Sequence, residues 1–107
     1  MTVLRIDRFE LPAGAAATFL ARIEETHAVL RGCDGFLGDR ILVGCDAPSV
    51  MTIVEWRDDV AVERAKSRVL AARAGTGFDP QSYMRDAGIT AVFSTFAPHS
   101  DAAGAAG

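Results

Sequence analysis

From Val3 to Leu11 the chain reads Val-Leu-Arg-Ile-Asp-Arg-Phe-Glu-Leu, with apolar residues at alternate positions, which predicts a β-strand. Pro12 and Gly14 punctuate it. From about residue 13 to Arg31 the period changes: Ala16, Leu20, Ile23, His27 and Leu30 recur every three or four residues, forming one face of a helix. Arg22, Glu24, Glu25 and Arg31 surround the other side, and Gly32 stands where a helix stops. Gly35 to Val43 and Val50 to Trp56 predict two further strands, joined by the turn Gly44-Cys-Asp-Ala-Pro48. Asp58 or Asp59 caps a second helix with Val62, Ala65, Val69 and Ala72 at helical spacing, ended by Gly75-Thr-Gly77. Asp79-Pro80 opens a short extra helix, Pro80 to Ala87, stopped by Gly88, and Ile89 to Ala97 is the last strand.

The order β-α-β-β-α-β predicts an α+β, ferredoxin-like domain over residues 1–97, with a four-stranded antiparallel sheet and helices on one face. Residues 98–107 are rich in Ala and Gly with nothing to bury, so the tail is expected to be disordered. The uncovered face would carry Leu4, Ile6, Met51 and Ile53, too much apolar surface to leave wet. A second copy of the chain is the simplest cover, and a homodimer is expected.

With 107 residues, half of them apolar, the chain is one globular domain that needs no staples to fold. Fourteen acidic against eleven basic residues give a net charge of −3, with the arginines dispersed, which argues against nucleic acid as a partner. No apolar run is long enough to cross a bilayer and no signal-peptide pattern opens the chain, so no membrane association and a cytoplasmic location are expected. Cys33 and Cys45 lack metal-ligand spacing and are expected to be reduced, and no metal site is expected. The chain contains no asparagine and a single glutamine, Gln81.

Three segments carry a resemblance to known proteins: Ile6-Asp-Arg-Phe-Glu-Leu-Pro-Ala-Gly14, Gly32-Cys-Asp-Gly-Phe-Leu-Gly38 and Ile53-Val-Glu-Trp-Arg-Asp-Asp59. In order and spacing they resemble the antibiotic-biosynthesis monooxygenase (ABM) superfamily of dimeric α/β barrels. The resemblance implies oxidation of aromatic polyketides without a cofactor, or degradation of haem. Haem-degrading members use an Asn on strand one, a Trp in helix two and a His near that helix's end. Those positions fall here on Asp7, Ala65 and approximately Gly75, so no haem cofactor is expected. The quinone-forming members are associated with a cleft Asn, which this chain cannot supply.

Cofactor-free oxygenation needs a base or a cation to form and hold a substrate anion, inside an apolar cleft that excludes water. Arg5 and Asp7 are the candidate catalytic residues, because on a strand they point to one face between Val3 and Phe9. The structural alternative is a simple ion pair, or a cross-strand pair with Arg40. Candidate substrate-binding residues are Trp56 (a stacking wall or a core anchor), His27 (a base or a core histidine), Tyr83, Phe9 and Arg73. Phe36, Phe78, Phe93 and Phe96 read as core or dimer interface. The expected function is a cofactor-independent monooxygenase acting on a small aromatic or polyketide-like compound. The rival readings are a polyketide cyclase or isomerase, and a non-catalytic binding protein for a small hydrophobic metabolite.

Overall fold

The computed structural model describes residues 1–99. Its elements are β1 (Val3–Glu10), α1 (Ala16–Arg31), β2 (Phe36–Val43), β3 (Ser49–Trp56), α2 (Asp59–Arg73), α3 (Pro80–Ala87) and β4 (Thr90–Phe96). The four strands form one antiparallel sheet in the order β2-β3-β1-β4. This is the ferredoxin-like plan, with the extra helix α3 inserted before the last strand. No helix among the described residues is long and apolar enough to cross a membrane. The expected tail disorder falls mainly on residues 100–107, which lie outside the described residues.

Local chemistry explains the helix ends. Asp58 Oδ1 accepts from the Ala61 amide at 2.8 Å, so Asp58 and not Asp59 is the cap of α2. Asp79 accepts from Gln81 N and from Ser82 Oγ, and Gly88 closes α3 at φ 74°. Helix α1 begins at Ala16 without a side-chain cap, three residues later than the spacing predicts.

Two apolar clusters form on the helix side of the sheet. Trp56, Val3, Cys33 and Val54 bury against Ala61, Val62 and Ala65 of α2. Phe9, Leu11, Phe19, Val50 and Ile89 form the second, beneath α1 and α3. Two expected positions differ. Phe19 is one of the two buried residues of α1, beside His27, whereas Ala72 is exposed because the far end of α2 runs off the sheet. Along β1 the inward positions run Val3, Arg5, Asp7, Phe9: apolar ends anchored in one cluster each, and two charges between them.

Gly35 fixes the entry into β2. It sits at φ +87°, its carbonyl accepts from Arg57 N at 2.8 Å, and a Cβ there would collide with that of Ala61, which is fully buried. Gly35→Ala combines a left-handed backbone with overpacking and is expected to cost about 2–4 kcal/mol. Urea denaturation measures it; an unchanged midpoint would refute this close approach of β2 to α2.

Candidate functional site

Between the two clusters the sheet and helices enclose a cavity of about 470 Å³, within the size range of small-molecule sites. Its floor comes from β1 and β3, its walls from α1 and α2, and α3 brings Tyr83 to one side. All seven residues singled out above line it: Arg5, Asp7, Phe9, His27, Trp56, Arg73 and Tyr83.

Arg5 and Asp7 lie on the floor. Arg5 Nη2 stands 3.9 Å from Asp7 Oδ1, close enough for attraction and too far for a hydrogen bond. Arg5 Nε and Asp7 Oδ1 are buried and have no hydrogen-bond partner among the described residues. Burial pushes the Asp7 carboxyl above its ordinary range, and the positive charge of Arg5, then of His27, offsets only part of that. A self-satisfied structural pair would show short bonds and no orphaned atoms, and this pair shows neither. The cross-strand pair with Arg40 is excluded: Arg40 stands opposite Ile53, on the other face of the sheet.

The walls are aromatic. Phe9 meets Phe19 edge-on at 4.8 Å and Phe93 at 6.0 Å, and Tyr83 stacks on Phe19 at 6.4 Å. Trp56, 2 % exposed, packs edge-on against Phe36 at 5.7 Å and also borders the cavity, so it is core anchor and wall at once. Phe78 and Phe93 line the cavity rather than the core, Phe36 packs on the core, and Phe96 is exposed on the opposite face. Arg22 lies 4.2 Å over the Phe78 ring, with Arg73 at 5.8 Å. Arg73 donates to Thr26 Oγ1 at 2.7 Å, tying α2 to α1, and desolvation lowers its pKa.

His27 Nδ1 pairs with Asp39 Oδ2 at 2.7 Å, and Asp39 also accepts from Arg31. Asp39 and Thr52, the buried polar residue of β3, escaped the reading of the sequence. Thr52 carried a signal, a lone hydroxyl in Val50-Met-Thr-Ile-Val54. Asp39 did not, because a bulge between Phe36 and Gly38 shifts the facing of every later β2 residue.

No family model matches the sequence, and neither does any curated protein. Solved structures do match it, over nearly its full length. SnoaB, a cofactor-independent oxygenase from Streptomyces nogalater, is 27 % identical over 92 % of this chain and 93 % of its own, with a TM-score of 0.68. A protein from Nitrosomonas europaea, provisionally named an antibiotic biosynthesis monooxygenase, superposes with a TM-score of 0.71 at 12 % identity, covering 92 % and 90 %. The chain has the ABM fold. A third ABM-fold neighbour is MhuD, a heme-degrader from Mycobacterium tuberculosis, at 25 % identity and a TM-score of 0.68, covering 91 % and 95 %. Within the ABM fold, this chain puts its carboxylate Asp7 on the cavity floor and a small residue, Ala65, on the α2 wall.

Proposed function

We propose that this protein is a cofactor-independent monooxygenase acting on a small hydroxyaromatic or polyketide-like compound. The observation that carries the reading is the Arg5–Asp7 pair, with its orphaned polar atoms, on the floor of an aromatic-walled cavity. The substrate ionises at a hydroxyl, and Arg5 pairs with the resulting phenolate. Asp7, inclined by burial to keep its proton, hydrogen-bonds a neighbouring oxygen. The electron-rich anion then reduces O₂ itself. A ring methylene becomes a carbonyl, one oxygen atom enters the product and the other leaves as water. The apolar walls protect the anion from bulk solvent.

Oxygen-electrode traces with anthrone-type substrates test this: one O₂ consumed per quinone formed is expected. Turnover without oxygen would favour the cyclase or isomerase, and saturable binding without any turnover the binding protein.

The cavity fits haem poorly. Ala65 lines it at the place of the haem-degraders' Trp, and the end of α2 carries Arg73 and no histidine. Hemin titration is expected to give no saturable red-shifted Soret band. Stoichiometric binding with Soret loss on adding reductant would refute this.

A second copy of the chain is inferred on the other face of the sheet. Leu4, Ile6, Met51 and Ile53 form its centre, Val92 and Phe96 lie exposed on β4, and Arg8, Arg40 and Glu55 supply both signs of charge for an isologous contact.

A further inference from the structure

His27 is almost fully buried on α1, yet it borders the cavity. Its Nδ1 faces Asp39 Oδ2 at 2.7 Å, and Arg31 grips the same oxygen through Nε at 3.1 Å and Nη2 at 2.9 Å. Burial pushes the Asp39 carboxyl up, but the hydrogen bonds from Arg31 and His27 outweigh it and hold Asp39 below the ordinary carboxylate range. An ionised carboxylate only accepts, so Nδ1 carries the hydrogen, and in the neutral ring Nε2 keeps a lone pair.

Strand register places Asp39 relative to the cavity floor. Asp39 and Arg5 both stand opposite Val54, and Asp7 stands opposite Thr52, all on the helix side of the sheet. Asp39 is therefore two strand spacings from Arg5, about 10 Å. His27 descends from α1 with its Nδ1 on Asp39. His27 itself lines the cavity whose floor is Arg5 and Asp7, and with Nδ1 taken by Asp39 the nitrogen left for a ligand is Nε2.

We propose that His27 is the general base of this site and Asp39 its positioning residue. The proposal rests on the oxygenase reading and supplies the proton acceptor that the reading lacks. The substrate O–H bond breaks, its proton bonds to Nε2, and the electron pair stays on oxygen as a phenolate beside Arg5. Asp39 balances the imidazolium, and Arg31 keeps Asp39 ionised throughout. A purely structural role for the same contact would be a permanent imidazolium–carboxylate pair pinning α1 to β2.

The chain has two histidines, His27 and His99, so ¹⁵N-histidine labelling with His99→Gln assigns His27 directly. A neutral ring with hydrogen on Nδ1 and a bare Nε2 is expected over part of the pH range in which the protein is folded. An Nε2–H tautomer, or a ring charged throughout that range, overturns the proposal. The second readout is the absorbance of bound p-nitrophenol, which reports its ionisation. The wild type is expected to ionise it at lower pH than water does. His27→Gln should return the midpoint toward that of the free phenol by about one pH unit or more, a factor of at least about ten. Asp39→Asn, which keeps an acceptor and removes the charge, should move it the same way, and serves alone if His27→Gln does not fold.

Other charges also face this cavity: Arg5 and Asp7 from β1, Arg22 from α1, Lys66 and Arg73 from α2, with the Tyr83 hydroxyl from α3. Arg5→Leu is therefore measured in parallel, to separate stabilisation of the anion from removal of the proton. A midpoint unmoved by the changes at His27 and Asp39, or no binding of p-nitrophenol by the wild type, overturns the proposal. Neither readout needs oxygen. His27-dependent ionisation without oxygen uptake would defeat the oxygenase reading and leave the base standing.

Discussion

Asp7→Asn is expected to raise the stability of the protein at pH 7 by about 0.5–2 kcal/mol while lowering turnover by about 10–10³-fold. Both effects follow from one carboxyl. Burial raises its folded-state pKa above the unfolded value, so native Asp7 holds a proton that the unfolded chain has already released. Across that interval the native state binds more protons, and stability falls as pH rises. Above the interval the cost of burying the carboxyl no longer grows with pH, and it is carried because the site uses the group. Thermal denaturation from pH 4 to pH 8 should show this decline in the wild type and less of it in Asp7→Asn. The opposing case is a structural pair, in which removing one member leaves Arg5 buried and alone at a cost of about 3–5 kcal/mol. The cavity argues against that, because water can reach a surviving Arg5 whose side chain is 22 % exposed. A large stability loss with unchanged ligand binding would remove Arg5 and Asp7 from the site and leave Trp56 and Tyr83 as its candidates.

Sedimentation of the wild type at micromolar concentration is expected to give twice the 11.3 kDa chain mass, and Ile6→Glu the single mass. Ile6 stands opposite Ile53 in the β1–β3 ladder, at the centre of the apolar outer face. A carboxylate there would be stripped of water without a partner at the two-fold contact, which is expected to break the dimer. Its position in the isolated sheet faces solvent, so the monomer should retain its fold and its far-UV spectrum. A well-folded wild-type monomer at these concentrations would refute the barrel-like pairing of two sheets.

Much of this protein is legible along the chain because the relevant physics is local. Strand parity alone places Arg5 and Asp7 on the face of Val3 and Phe9. Asp58 and Asp79 mark helix starts because each carboxylate reaches an amide two or three residues away. That parity also left Leu4, Ile6, Met51 and Ile53 on one uncovered face, which pointed to a partner. What the tertiary structure decided depends on events with no local signature. Counted evenly from Phe36, β2 aims Arg40 at the helices, as the expected pairing with Asp7 assumed. The bulge before Gly38 reverses that parity, turns Arg40 away and brings Asp39 under His27. Phe78 and Phe93 read as core or interface, yet they line the cavity: Phe93 stands opposite Asp7 on the helix side of β4, and the loop before α3 brings Phe78 beside Tyr83 and under Arg22 of α1. The charges on the cavity floor were visible in the sequence. The hydrogen-bonded His27–Asp39 pair on its wall was not, because it joins residues twelve apart through a one-residue irregularity that hydrophobic alternation does not record.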